Sequence, residues 1–204
     1  MPAHPLHWSM RLKIVQAGEP VLRQPARALT REEIQLPEIG QLIEWMRETM
    51  HDAPGVGLAA PQVGLPISLA VIEDRAEYTQ AIAPERLAER EREPVPFLAL
   101  FNPRITQRSQ EQAEFFEGCL SLSGFSALVK RSRTVAVEYD DPHGAPQRIE
   151  ARGWLARILQ HEIDHLNGYL YIDRMEPRSF MTVDNLNRYW KDLPIDDVRQ
   201  KLGI

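Results

Sequence analysis

In the run "LARILQHEIDHLNG", two histidines stand four residues apart, with a glutamate directly after the first. On an α-helix, side chains at that spacing point the same way, about one turn apart. His161 and His165 can therefore offer two imidazole nitrogens to one ion, while Glu162 reaches a water held there rather than the ion itself. The same face continues backward through Ile158 and Trp154, which a core would bury. Read alone, the string stays divided between a metal site and the polar side of an ordinary helix. A catalytic metal normally takes three protein ligands and keeps one position open. Downstream there is no further histidine, and Asp173, Glu176 and Asp184 sit in no ligand-like pattern. Upstream, Cys119 in "EGCLS" completes a plausible set, because a thiolate with two imidazoles suits zinc or ferrous iron. As the single cysteine it forms no internal disulfide, which agrees with a reducing compartment; its bland alternative is a small buried apolar residue.

A third stretch is "GVGLAAPQVG". Gly55, Gly57 and Gly64 among small residues mark a loop whose backbone approaches something closely. Gln62 offers an amide NH₂, a neutral donor to a developing oxyanion. The competing interpretation is a tight turn in which Gln62 only satisfies backbone groups. Phosphate cradling is a poor alternative, since the glycine spacing is wrong and no lysine follows.

These residues need elements to position them. Ile39, Leu42, Ile43, Met46 and Met50 recur at helical spacing and predict a helix over Pro37–Met50, stopping before "HDAPGVG". "LPISLAVIE" (65–73), "FLALFNPRIT" (97–106) and "AEFFEGCLSL" (113–122) are expected as strands, and "RTVAVEYDDPHGAPQRIEARG" as a hairpin turning at "DPHG". The helix bearing the histidines is expected over Gly153–Asn167, with Gly168 ending it in a left-handed conformation. The charged stretch "APERLAEREREP" (83–94) reads as a solvated loop or short helix. The sum is an α+β fold of mainly antiparallel β-sheets packed around a central helix carrying the HExxH motif. We expect one domain over 1–204, with a C-terminal tail from about 176 that either covers the core or meets a second subunit.

The 204 residues are 43% apolar and 26% charged, as in a soluble globular protein. A net charge of −5 argues against a nucleic-acid-binding surface. No apolar run reaches the roughly 18 residues of a membrane span, and the start "MPAHPLHWSMRLKIVQ" lacks a secretory h-region. The expected location is cytoplasmic.

Taken together and in this order, "GVGLAAPQ", "EGCLS" and "QHEIDHLNG" resemble the motifs of the peptide deformylase family. The resemblance runs from about Ile14 to Met175, through "GEPVLRQPA" and "YLYIDRM". "SGFSALV" and "RMEPRSFMTVDNLNRYW" are similar to the organellar-type subgroup and its bacterial relatives. It implies hydrolysis of the N-formyl group from the formyl-methionine of new polypeptides, met near the ribosome, with no nucleic acid or membrane partner, by a monomer or homodimer. Carried over residue by residue, Cys119, His161 and His165 would hold one divalent metal per chain, natively Fe²⁺, with Zn²⁺, Ni²⁺ or Co²⁺ able to take the same site. Glu162 would be general base and acid, and Gln62 with the Leu120 N–H would stabilise the oxyanion. Gly57 and Gly118 would pair with substrate backbone, and Trp154 and Ile158 are the candidate walls of a methionine pocket. Two other activities fit the histidine helix: an HExxH-type zinc endopeptidase, and a non-catalytic module with a closed four-ligand zinc.

Overall fold

A proline at the first helical position has no N–H to leave unpaired, and its fixed φ suits the first turn. In the computed structural model, which describes residues 10–80 and 82–204, Pro37 opens a long helix in this way. Before it comes α1 (Arg31–Ile34), closed by a Thr30–Glu33 capping box. The long helix, α2 (Pro37–Asp52), runs two residues past the expected stop at Met50. Pro54 then ends it, since the residue before a proline avoids helical backbone. Most of the amino-terminal segment weighed for a secretory signal, residues 1–9, lies outside the described residues.

The chain continues through β1 (Gly57–Ala59), a 3₁₀ turn (Ala60–Val63), β2 (Leu69–Asp74), α3 (Pro84–Arg90) and β3 (Val95–Arg108). Then follow β4 (Gln112–Glu117), β5 (Phe125–Ser132), β6 (Thr134–Asp140), β7 (Pro146–Arg152) and α4 (Gly153–Leu166). The carboxy-terminal part holds β8 (Met181–Thr182), α5 (Val183–Asn185) and α6 (Ile195–Leu202). One sheet has the order β1-β2-β3-β6-β7 and the other β4-β5-β8, with antiparallel pairing between neighbours. The helix α4 packs on strands of both sheets, so the expected α+β arrangement around the histidine helix holds.

The larger sheet is covered on both faces, which explains why "LAVI" in β2 is apolar throughout. Leu69 and Val71, with Ala99 and Phe101 of β3, face Met46 and Met50 of α2. Ile72, Leu100, Val135 and Val137 face Leu159 and Ile163 of α4. The hairpin forms as expected, in register from Thr134↔Arg152 to Asp140↔Pro146, with Asp141 Oδ1 accepting from the His143 and Ala145 N–H groups.

Three expectations need correction. "LPISLAVIE" is not strand from its start: Ser68 donates to the Arg27 carbonyl and its own carbonyl accepts from Asn102 before the ladder begins at Leu69. "AEFFEGCLSL" stops pairing at Glu117, and Cys119 sits in a turn closed by Leu122 N–H to the Cys119 carbonyl (3.0 Å). The charged stretch 83–94 forms the expected short helix, α3, but is only partly solvated. Arg92 forks onto the fully buried Asp74 at 2.7 and 2.9 Å, and Arg90 lies across the rings of Phe115 and Trp154.

The tail covers the protein's own smaller sheet. Val198 of α6 is fully buried with Phe116 and Leu128, and Trp190, Leu193 and Leu202 pack around them. Arg199 bonds Glu114 of β4 at 2.8 Å. Val198→Asp would place an unpaired charge in that cluster and weaken docking by more than about 2 kcal/mol. Thermal melting should shift down, and limited proteolysis should cut the tail first; unchanged melting and protection would mean that the tail is not held by this cluster.

Candidate active site

α4 can carry two histidines inward because both its ends are fixed by glycine. Gly153 has φ +57, and a Cβ there would lie 2.4 Å from Glu91 Cβ. Gly168, at φ +80, ends the helix in the left-handed region as expected. Between them His161 and His165 meet edge to face, ring centroids 4.8 Å apart. The turn after β4 brings up Cys119, whose Sγ is 3.3 Å from His165 Nε2. The three candidate ligand atoms all lie within 4.8 Å of one another.

The surroundings of this trio fit a divalent ion. Glu117 Oε2 sits 3.0 Å from His161 Nδ1, which leaves the other ring nitrogen for the cluster, the usual outer support of a metal-binding histidine. Ser121 N–H and Gln62 Nε2 point at the sulfur, at 3.4 and 3.5 Å. One sulfur and two imidazole nitrogens form a donor set for zinc or ferrous iron. Burial would lower the His161 pKa, but its hydrogen bonds to Cys119 and Glu117 outweigh that and hold it well above the ordinary value. For His165, burial and the nearby charges of His161 and Arg131 act together and hold it well below.

Glu162 lies deep, with Oε2 buried and without a hydrogen-bond partner. Burial pushes its pKa up to about 7, against the pull of His161 and Arg131. A carboxyl poised there can both take and return a proton near neutrality. Its other oxygen rests against Gly57, where a Cβ would come within 2.2 Å of Oε1. The close backbone approach expected of the glycine loop is therefore an approach to this carboxylate.

Gln62 is 1% exposed, and its amide is oriented by its neighbours. Oε1 accepts from Ala59 N–H at 2.8 Å, which turns the NH₂ toward Ser121 Oγ (3.3 Å) and Cys119. The backbone-satisfying interpretation of Gln62 is met through its oxygen, and its NH₂ lies beside the cysteine. The Leu120 carbonyl is held by Gln16 Nε2 (2.9 Å) and Ser123 Oγ (3.1 Å), and its N–H has no acceptor among the described residues. A cavity of about 480 Å³ is lined by Cys119, His161, Glu162 and Gln62, with Gly57, Gly118 and Leu120 at its edges. Trp154 and Ile158 form part of its wall, and Phe125 and Val183 are exposed beside it. His165 is not among its lining residues.

The chain matches the family model described as polypeptide deformylase over residues 11–180. The chain belongs to the polypeptide deformylase family. It is 45% identical to the chloroplastic peptide deformylase 1A of Solanum lycopersicum over 191 residues, 94% of this chain and 67% of that one. Against peptide deformylase 1 of Bifidobacterium longum the figures are 44% over 194 residues, 95% of this chain and 86% of that one. Among solved structures, a Synechococcus elongatus peptide deformylase in complex with actinonin superposes with a TM-score of 0.69 at 42% identity, over 82% of each chain. The Met-Ala-Ser-bound class I type b enzyme from Acinetobacter baumannii gives 0.73 at 30%, over 82% of this chain and all of that one. The deformylase activity stands over the endopeptidase alternative.

What the sequence left unseen is the support behind the ligands. Glu117 was visible only as a polar neighbour of the cysteine, yet it bonds Arg131, Arg157 and His161. Asp164, inside the histidine motif, bonds Arg131 and Arg174. The available signal was position: each acid lies within two residues of a candidate ligand.

The Gly57–Glu162 contact yields a test. Gly57→Ala forces the carboxylate to move, so turnover should fall by about tenfold or more while metal content stays near one per chain. Normal turnover in that variant would show that the contact is not needed for positioning.

Proposed function

We propose that this chain removes the formyl group from formyl-methionine at the start of new polypeptides, using one divalent ion held by Cys119, His161 and His165, natively Fe²⁺. The main support is the convergence of one thiol on two imidazoles beside a buried carboxyl and an oriented amide. When bound, the ion supplies Lewis acidity that makes water a nucleophile at neutral pH. Glu162 accepts the proton of that water and later delivers it to the departing amine, a role suited to a pKa of about 7. Gln62 Nε2, held by the Ala59 bond to its oxygen, donates to the formyl oxygen as that atom gains charge, and the Leu120 N–H donates alongside. Gly57 and Gly118 leave backbone free to pair with the substrate, while Trp154 and Ile158 wall the methionine side chain. The apolar wall and the Met-Ala-Ser carried by the Acinetobacter baumannii relative both favour a methionyl peptide as occupant.

The third ligand separates this chemistry from proteolysis. A thiolate places negative charge on the metal and weakens it as a Lewis acid, which suits an unhindered formyl carbon better than a peptide carbonyl. The partners follow from the substrate: formyl-methionyl nascent chains, met close to the ribosome in the cytoplasm.

Anaerobically purified protein should release formate from formyl-Met-Ala-Ser and leave the unformylated peptide intact. Metal analysis should find iron; zinc alone in fully active protein would overturn the native-metal assignment, and silence on both peptides would overturn the activity. Glu162→Ala should keep the metal and abolish turnover, so turnover near wild type removes Glu162 from proton transfer. Gln62→Leu should lower kcat by about 10²–10³ with metal content little changed. An unchanged kcat would leave Gln62 a purely structural part.

A further inference from the structure

Arg90 ends α3 with its guanidinium over two rings, 5.1 Å from the Phe115 centroid and 5.5 Å from that of Trp154. It makes no hydrogen bond or ion pair with any described residue. Burial and the nearby charges of Arg157 and Arg92 lower its pKa to about 10, against the opposing pull of Glu89, so it stays a cation at neutral pH. A half-buried unpaired cation is costly unless something neutralises it.

Arg90 borders a cavity of about 380 Å³ between the end of α3, β4, the start of α4 and α6. The glutamates in its walls are already engaged. Glu89 pairs with Arg86, Glu91 with Arg133 and Arg152, and Glu114 with Arg199. Asp196, in the first turn of α6, is the remaining acid of the lining. Trp154, a residue of this wall, has its Nε1 buried with no acceptor.

We propose that this cavity is a second ligand site, separate from the catalytic one, in which Arg90 holds the phosphate or carboxylate group of a small molecule. Arg90 supplies a planar fork of donors whose stacking on two rings fixes it in place. The inference does not depend on the deformylase activity. Trp154 and Arg157 belong to the walls of both cavities, so the site must be tested with the catalytic one filled.

The test is calorimetric titration of the metal-loaded protein, saturated with Met-Ala-Ser, with inorganic phosphate and separately with acetate, against sodium chloride at equal ionic strength. Saturable one-to-one binding of phosphate identifies a phosphoryl ligand, and of acetate a carboxylate. Arg90→Met should weaken that binding by about tenfold or more, and formate release without added anion should stay within about twofold of wild type. Arg90→Lys keeps the charge without the fork and should weaken binding by a smaller factor, which preserves the test if the methionine variant folds poorly. No saturable binding of either anion, or equal binding in the Arg90 variants, overturns the proposal.

Discussion

The site depends on a buried ionic knot behind it. Glu117 accepts from Arg131 at 2.9 Å through both oxygens and from Arg157 at 2.5 Å, and it meets His161 Nδ1 at 3.0 Å. Arg131 also reaches Asp164, which Arg174 grips from the far side at 2.7 Å. Burying such charges is unfavourable unless every partner is in place, and removing one partner typically costs about 3–5 kcal/mol. Arg131 and the hydrogen bond from His161 hold the Glu117 carboxyl far below its ordinary range, although burial alone would raise it. Losing any one partner would leave a buried charge unpaired, which favours one arrangement of its strands and helix.

That arrangement fixes the candidate ligands. Glu117 ends β4 two residues before Cys119, Arg131 lies on β5, and Asp164 precedes His165 on α4. Holding these three elements together sets the distance between the thiol and the two imidazoles before any ion arrives. The opposite side is held by shape instead of charge. Gly57 admits the Glu162 carboxylate against backbone, and Gln62 is locked by its bond to Ala59. One side supplies rigid electrostatics, the other a close backbone surface.

The parts written locally in the chain were legible from it. The bounds of α4 follow from Gly153 and Gly168, the hairpin from "DPHG", and the start of α2 from Pro37, because each depends on backbone conformation a few residues wide. Cys119, His161, His165 and Gln62 could be singled out because their residue types are rare in combination. The failures concern partners distant in sequence. Nothing near Arg92 indicates that Asp74, at the end of an apolar strand, will face it, so the charged stretch read as solvated. The end of β4 was missed because "EGCLSL" contains only Gly118 to interrupt it, and the turn is closed by a bond from Leu122. The place of the tail was undecidable because its apolar residues would suit a subunit contact as well as Phe116 and Leu128.

The knot also joins regions that look independent. Oε1 of Glu117 accepts from Arg157 while Oε2 faces His161, so one carboxylate touches both a candidate ligand and a wall of the substrate cavity. Arg157 in turn lies over Phe115, the ring that also carries Arg90. Loss of Arg157 or a turn of the His161 ring would leave one Glu117 oxygen short of a donor, because each oxygen already meets two. Coupling between sites requires such a shared element with few alternative arrangements. Apolar packing in the same place would hold α4 equally well, yet it would make the orientation of His161 independent of the cavity wall. The use of charge where packing would suffice is thus explained by what must be oriented, a ring nitrogen and an arginine fork, both of which need directional partners.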